Sequence, residues 1–273
     1  MGYGREERQR RSWYVILMTL EGMTVLVTGG AGGIGQAICR HLAKQGSRVI
    51  VHYHTSKAEA ENLAGEIDGI AIHADLRKKD EVDKMFIRIE EEIGLLQCCV
   101  ANAGVYPPEP MPIWEISEDR WNSTLESNLG VTVLTAQGFL RGAITSGKGS
   151  LVLIGSTAGV HGERGHSDYA TAKGAITSGL LRTLKNDVSG TSIRVNAVAP
   201  GWTLTDSKIE SGIDREIASS AMRTMSMKKL ASPEDVAGAV AFLLSDVASG
   251  HISGQVIEVS GGMEGRVIPG PGE

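Results

Sequence analysis

The feature that most constrains this chain is the alternation, from Val25 to Val259, of short apolar β-rich runs with longer amphipathic helical runs. Strands that read almost continuously as Val, Ile and Leu must be buried on both faces, and crossover helices are what cover both faces, so the pattern dictates an α/β fold with a parallel sheet. It predicts seven strands, near 24–28, 48–53, 70–74, 96–101, 150–155, 191–198 and 255–259, with helices near 33–45, 58–67, 79–93, 117–143, 167–189 and 233–244. The helix near 233 has local causes: Ser232-Pro233-Glu234-Asp235 supplies an N-cap, a proline for the first turn and two acids against the helix dipole. No Gly/Ser/Pro linker or repeat divides residues 20–262, so one domain is expected. The 35 glycines against 8 prolines suit many tight strand-to-helix turns. Trp202 to Leu230, polar and Met-bearing, is expected to be a mobile lid over residues 202–230; Met222, Met225 and Met227 within it are expected to fill core or subunit gaps.

A net charge of −5 leaves no large electropositive surface for a phosphate backbone, which excludes nucleic acid as a partner. Cys39, Cys98 and Cys99 are odd in number, lack CxxC spacing and sit in apolar runs, as reduced core thiols of a cytoplasmic protein would. His52 and His54 alternate on a strand end, but no third ligand stands near them, so no metal is expected. The run Trp13 to Met18 is too short to cross a bilayer, which takes about 20 apolar residues, and no small-residue cleavage site follows it. Residues 1–17 are therefore expected to be a disordered extension, or to precede a true start at Met18; the domain would run over 18–263 and a tail over 264–273.

Strand Val25-Leu26-Val27 runs into Thr28-Gly-Gly-Ala-Gly-Gly-Ile-Gly35 and then a helix, the context that a dinucleotide-binding turn requires. Glycine permits positive φ and close backbone approach, and the amides of the following helix attract a pyrophosphate. Two spacings fit at once: Gly30, Gly32 and Gly35 match G-x-G-x-x-G, while Thr28, Gly29, Gly33 and Gly35 match T-G-x-x-x-G-x-G. Any tight β-to-α turn can be Gly-rich, so the rest of the chain has to decide.

Tyr169 and Lys173 are four apart in a helical run and share a face. An ammonium beside a phenol favours the phenolate and is expected to lower the Tyr169 pKa towards neutrality. Ser156 follows the strand ending Val152-Leu-Ile-Gly155, where open α/β sheets place ligands. Taken alone, these are an exposed Tyr-Lys pair and a turn serine; beside the glycine turn, they point to a redox site.

With these residues in hand, the chain resembles the short-chain dehydrogenase/reductase family, of the roughly 250-residue kind, from Leu20 to Gly262. The matching marks are Thr28-Gly29-x-x-x-Gly33-Ile34-Gly35, Asp75-Leu76, Asn102-Ala103-Gly104, Asn128, Ser156, Tyr169-x-x-x-Lys173, and Pro200-Gly201 with Thr203 and Thr205. The resemblance implies a doubly wound Rossmann-type fold and hydride transfer between a nicotinamide dinucleotide and a small carbonyl or alcohol compound. It casts Tyr169 as general acid/base, Ser156 as donor to the carbonyl oxygen, and Lys173 as ligand of the nicotinamide ribose and depressor of the Tyr169 pKa. Asn128 would position a relay water, Asp75 and Leu76 would frame the adenine, and Asn102 would lie by the adenosine ribose. Pro200 to Thr205 would meet the nicotinamide amide and phosphates. Relatives pack subunits through the helices near 117–143 and 167–189, so a homotetramer or homodimer is expected.

Two departures bear on cofactor choice. Gly32 stands where NADP-preferring relatives often carry Arg or Lys, which removes one phosphate clamp. Against that, no acid follows Tyr53 to repel a 2'-phosphate, and His54, Thr55, Ser56 and Lys57 are available to accept one, so NADP is favoured and NAD remains the alternative. The usual Asn-Asn-Ala-Gly reads Ala101-Asn102-Ala103-Gly104. His161, Glu163, Arg164 and His166 are candidates for the substrate side or for a solvated loop. Three functions compete: a small-carbonyl reductase; a 3-oxoacyl-[acyl-carrier-protein] reductase, suggested by Ser253 to Met263 and needing basic residues such as Lys148, Arg164 and Lys185; and a silent dinucleotide-binding regulator, whose usual sign is a broken Ser, Tyr, Lys set.

Overall fold

Strands β1 (Thr24–Val27), β2 (Arg48–Tyr53), β3 (Ile70–His73), β4 (Cys98–Ala101), β5 (Lys148–Ile154), β6 (Ser192–Pro200) and β7 (Val256–Val259) lie in one parallel sheet. Their order in the computed structural model, which describes residues 20–205, 209, 212 and 215–263, is β3-β2-β1-β4-β5-β6-β7. The chain winds outward from β1 to β3, returns to lay β4 on the other side of β1, and winds outward again to β7. Where the winding reverses, connections leave on opposite faces of the sheet, and a crevice opens at the carboxyl ends of β1 and β4. All seven expected strands are present, and the fold is the single-domain Rossmann type.

The helices are α1 (Gly33–Lys44), α2 (Lys57–Glu66), α3 (Lys79–Glu92), a long α4, a short α5 (Thr157–His161), a long α6, α7 (Arg215–Met222), α8 (Pro233–Leu244) and α9 (Asp246–Ser249). Residues alternate between faces along each strand, so Val25 and Val27 join α1 and α8 (Ile38, Leu42, Val240, Leu243) on one side. On the other side Leu26 and Cys99 join α3, α4 and α6 through Met85, Ile89, Phe139, Ile176 and Leu181. Each of these large side chains is under 3% exposed, and such burial stabilises the fold by about 2 kcal/mol per residue. The three cysteines lie in these layers, where burial pushes the Cys39 and Cys98 thiols up to about 12.

The two long helices differ from the uniform periods that the sequence suggests. Helix α4 runs Glu118–Leu125, passes through a wide π-type turn at Glu126–Gly130, and continues over Val131–Ser146, ending at a left-handed Gly147. Helix α6 does the same over Ser167–Gly174, Ala175–Leu180 and Leu181–Asp187. A π-type turn spends one extra residue per loop and leaves carbonyls without their usual amide partners. In both helices a threonine four residues on supplies a hydroxyl: Thr132 donates to the Asn128 carbonyl at 2.7 Å and Thr177 to the Lys173 carbonyl at 3.2 Å.

The expected lid over 202–230 is partly structured: Thr203 bridges to Ala231, Met225 is buried and bridges to Met263, and α7 lies between. Residues 206–208, 210, 211, 213 and 214 of that stretch, the 1–17 extension and the 264–273 tail lie outside the described residues. Among the described residues no helix is long and apolar enough to cross a membrane.

Helix α8 starts on a complete capping box, with the Ser232 hydroxyl accepting from the Asp235 amide at 3.2 Å and the Asp235 carboxylate accepting from the Ser232 amide at 2.8 Å. Ser232→Ala is expected to cost about 1 kcal/mol, read as a lower urea midpoint at unchanged m-value.

Candidate active site

The crevice at the carboxyl edge is a cleft of about 690 Å³ that begins at the glycine turn and ends beside Tyr169. Steric room resolves the two glycine spacings. Gly29 has φ +62°, and a Cβ there would lie 3.0 Å from the Ala103 Cα. A Cβ on Gly33 would sit 2.7 Å from the Thr205 side chain, and one on Gly35 would run into the Gly29 carbonyl oxygen. Gly32, in contrast, is an extended N-cap whose Cβ would meet only the Gly29 oxygen, at an ordinary 3.4 Å. A Cβ on Gly30 would lie 3.0 Å from Val51 and 3.1 Å from Cys39 and the Val27 oxygen, so the turn is built on Gly29, Gly30, Gly33 and Gly35, and Gly32 alone of the five has ordinary room.

Thr28 is fully buried beneath that turn and does not line the cleft, contrary to its expected place among the cofactor contacts. Its hydroxyl accepts from the Asn102 and Ala103 amides at 3.0 and 3.1 Å and donates to the Val100 carbonyl at 3.3 Å. Asn102 answers by donating its side-chain amide to the Thr28 and Gly29 carbonyls, at 2.9 and 3.2 Å. The ends of β1 and β4 are thus tied together, with Gly29, Gly33, Ile34, Gly35, Asn102, Ala103 and Gly104 on the cleft wall.

A third tie, through His52, is marked by no motif in the sequence. His52 is 2% exposed, accepts the Gly29 amide at Nδ1 (3.0 Å) and meets the Ala74 carbonyl at Nε2 (3.0 Å). A carbonyl can only accept, so the ring carries its proton on Nε2 and is neutral; burial holds its pKa down to about 4. The available signal was its place inside a run otherwise buried on both faces.

At the far end of the sheet edge, His54, Thr55, Ser56, Asp75 and Leu76 line the cleft, and Arg77 joins them. Arg77 donates to Asp75 at 2.9 and 2.8 Å and so holds that carboxyl well below its usual range, with His54 Nε2 3.8 Å away. The sequence reading missed Arg77, two residues beyond the flagged Asp75, and gave its place to Lys57. Lys57 instead pairs with Glu61 on α2 at 3.6 Å and lies outside the cleft.

At the opposite end Ser156, Tyr169, Lys173 and Asn128 converge, with Pro200, Gly201, Thr203 and Thr205 on the facing wall. Lys173 is 4% exposed, donates to the Ile154 carbonyl at 3.0 Å, and sits 5.7 Å from the Tyr169 ring centroid. Burial pushes the Lys173 ammonium down to about 8. Burial also pushes the Tyr169 phenol up to about 12, against a downward pull from the Ser156 hydroxyl and with an upward push from Glu163. This corrects the expected depression by Lys173: burial penalises the charged form of each group, and Lys173 is not among the causes of the Tyr169 shift. Asn128 spends its side chain on the protein, donating to the Val105 and Thr124 carbonyls at 2.9 and 3.0 Å and accepting the Val105 amide at 3.2 Å. Next to Tyr169, burial pushes the Asp168 carboxyl up, but Arg120 (3.0 Å), the Tyr169 amide (2.9 Å) and Thr124 (3.1 Å) hold it below its usual range. Among the described residues no cluster of His, Cys, Asp or Glu could hold a metal.

A family model described as enoyl-(acyl carrier protein) reductase matches residues 29–264. The chain is a short-chain dehydrogenase/reductase. It is 31% identical over 245 residues to the 3-oxoacyl-[acyl-carrier-protein] reductase FabG of Staphylococcus epidermidis, covering 88% of this chain and 98% of that one. It is 33% identical over 240 residues to the 3-oxoacyl-[acyl-carrier-protein] reductase MabA of Mycobacterium tuberculosis, covering 88% and 92%. A solved structure titled a putative gluconate dehydrogenase from Agrobacterium tumefaciens superposes with a TM-score of 0.85 at 27% identity, covering 90% and 98%. This short-chain dehydrogenase/reductase is thus an oxidoreductase acting on CH–OH and C=O groups, of a family that uses nicotinamide cofactors.

Two predictions follow from the glycine turn and its histidine. Gly35→Ala should lose about 1–3 kcal/mol through overpacking, while Gly32→Ala should leave both the unfolding midpoint and nucleotide binding unchanged. His52 stays neutral when folded but takes a proton near its ordinary 6.5 when unfolded. Its stabilising contribution is therefore complete above that value and falls as pH drops towards 4, by about 3 kcal/mol in all. The stability gap between wild type and His52→Asn should narrow from pH 7 to pH 5 in urea titrations; a constant gap would contradict the buried neutral ring.

Proposed function

We propose that this oxidoreductase reduces a small carbonyl compound, and runs the reverse alcohol oxidation, with NADP(H) as coenzyme and Tyr169 as acid/base. The observation that carries this reading is the convergence of Ser156, Tyr169 and Lys173 at one end of a cleft whose other end is the glycine turn. The residues fit a dinucleotide: a cradle at Gly29, Gly33 and Gly35 that a Cβ would fill, the amide end of α1, and polar side chains at both ends. Gly29, Gly33, Ile34 and Gly35 would hold the pyrophosphate, Asp75 and Leu76 the adenine, Asn102, Ala103 and Gly104 the adenosine side, and Lys173, Pro200, Gly201, Thr203 and Thr205 the nicotinamide side. When bound, the nicotinamide supplies or accepts the hydride at the carbonyl carbon.

The chain's own groups handle the oxygen. A phenol held at about 12 keeps its proton at neutral pH and is ready to give it to an alkoxide. Ser156, facing the same oxygen, donates a hydrogen bond that strengthens as negative charge develops there. Lys173, anchored on the Ile154 carbonyl beneath Tyr169, stabilises the phenolate that proton transfer leaves. Asn128 acts through the loop it binds: a Cβ on Gly104 would lie 2.6 Å from its Oδ1 and 3.2 Å from the Lys173 Nζ, so Asn128 fixes the floor on which Lys173 rests. A proton-relay water near Asn128 remains part of the proposal.

Arg77 and His54 support the phosphorylated coenzyme, because they give the adenosine end two cationic or proton-donating side chains beside Thr55 and Ser56, and Asp75 is already paired with Arg77. A second reading, reduction of a 3-oxoacyl group on acyl carrier protein, is favoured by the names of the FabG and MabA relatives. Of the three basic residues that docking would use, Lys148 starts β5 at the edge opposite the cleft, and only Arg164 adjoins a cleft residue. The intact, converging Ser, Tyr, Lys set speaks against a silent regulator.

Titration with NADPH and NADH by fluorescence, followed by a carbonyl panel with acyl thioesters included, tests this reading. NADPH is expected to bind more tightly than NADH, and Arg77→Ala to narrow that preference roughly tenfold, the loss of one charge-assisted contact. Tyr169→Phe is expected to lose roughly 100-fold or more in kcat while retaining NADPH binding. If neither nucleotide binds, the proposal fails.

A further inference from the structure

Glu163 is a carboxylate on the cleft wall at the Tyr169 end, and the proposed chemistry does not use it. It is held there by aromatic packing. The Tyr106 hydroxyl donates to Glu163 Oε1 at 2.6 Å; the Tyr106 ring stacks on His166 at 4.7 Å and meets the Tyr169 ring edge-on at 5.1 Å. His166 is 5% exposed, and its Nε2 meets the Pro107 carbonyl at 3.1 Å, which fixes that nitrogen as the donor and leaves Nδ1 facing the Tyr106 hydroxyl at 3.4 Å. With the Tyr106 proton committed to Oε1, the second oxygen of Glu163 has no hydrogen-bond donor among the described residues. Its charge reaches the reaction centre, since it is one of the groups that raise Tyr169.

The charges around it are one-sided. Apart from Glu163, the charged cleft residues among those described are Asp75 and Arg77 at the adenosine end and Lys173, which is spent on Ile154 beneath Tyr169. Arg164, the nearest cation in sequence, is exposed and is not part of the cleft wall. A substrate carboxylate or phosphate beside the reacting carbon would face that like charge with, among the described wall residues at this end, only the anchored Lys173 to offset it, whereas a hydroxyl would donate to Oε2.

We propose that Glu163, positioned by Tyr106 and His166, is the specificity-determining residue of this site and selects a neutral carbonyl compound that carries a hydroxyl group near the reacting carbon. The inference rests on the reductase reading above and adds the substrate class. The rejection is part of the selectivity: a site built to accept from a hydroxyl discriminates against an analogue lacking it, and still more against an anion.

The test is NADPH-dependent reduction of three ketones of similar length, 4-hydroxy-2-butanone, 2-pentanone and 4-oxopentanoate, by wild type, Glu163→Gln and Tyr106→Phe. Thermal unfolding and NADPH titration of each variant confirm that it is folded. Wild type is expected to rank them hydroxyketone, then alkyl ketone, then oxoacid in kcat/KM. Glu163→Gln keeps the shape and the acceptor for Tyr106 but removes the charge, and should raise the oxoacid-to-hydroxyketone ratio roughly tenfold or more. Tyr106→Phe should raise KM for the hydroxyketone more than it changes kcat, because it frees Glu163 without touching its charge. A different ranking in wild type, or an unchanged ratio in Glu163→Gln, overturns the assignment of Glu163 while leaving the reductase reading intact. If wild type binds NADPH but reduces none of the three, the small-carbonyl reading falls and this inference with it.

Discussion

The hydrogen bonds of Thr28 are what the rest of the site depends on. The winding of the sheet reverses between β1 and β4, and the two strands part company there, one feeding the glycine turn and the other the Asn102–Gly104 loop. A buried hydroxyl that accepts two amides from the β4 side and donates back to it closes that junction, and Asn102 repeats the tie in the other direction. Buried polar groups of this kind stabilise only when fully satisfied, and these are. His52 then fastens the turn to the end of β3. The floor of the cleft is a small hydrogen-bonded frame whose geometry does not wait for a ligand to arrive.

From that frame the two ends of the cleft diverge in character. The end at Asp75 is half-exposed and charged, with Arg77 and His54 around that well-buried carboxylate. At the other end burial works against charge, pushing Tyr169 up so that it keeps its proton and Lys173 down to about 8, where most of it is still protonated at neutral pH. Asp168 stays ionised there only because Arg120, Thr124 and the Tyr169 amide surround it, which fixes the first turn of α6 against α4. The crevice thus runs from an exposed, charged end to a largely buried one.

Much of this was legible in the chain. Seven strands could be read because β1, β2, β4, β5 and β6 are buried on both faces and have no polar face to confuse the pattern. Ser156, Tyr169 and Lys173 were legible from spacing and position after a strand. What the sequence left open was settled by distance. Two glycine spacings were equally good until the Cβ positions of Gly32, Gly33 and Gly35 were measured against their neighbours. His52 and Arg77 were missed because a histidine in a strand and an arginine after one carry no period, and Lys57 was misplaced because one residue further along α2 points a side chain away from the cleft. The Tyr169 shift was read with the wrong sign because proximity of Lys173 can be seen in a sequence and burial of both groups cannot.

The π-type turns in α4 and α6 reset the count of each helix. An ordinary helix advances about 100° per residue, so one surplus residue rotates everything after it by that much relative to everything before. In α6, Tyr169 and Lys173 lie before the turn and face the cleft, while Leu181 lies beyond it and faces the sheet core. In α4, Thr124, which braces Asp168, lies before the turn, Asn128 lies within it, and Phe139 lies beyond it. In α6 the half before this shim faces the cleft and the half beyond it packs on the sheet, whereas in α4 the shim itself, at Ser127 and Asn128, and Val131 just past it line the cleft. Tyr169 and Lys173 can therefore be aimed independently of the residues that hold the helix in place.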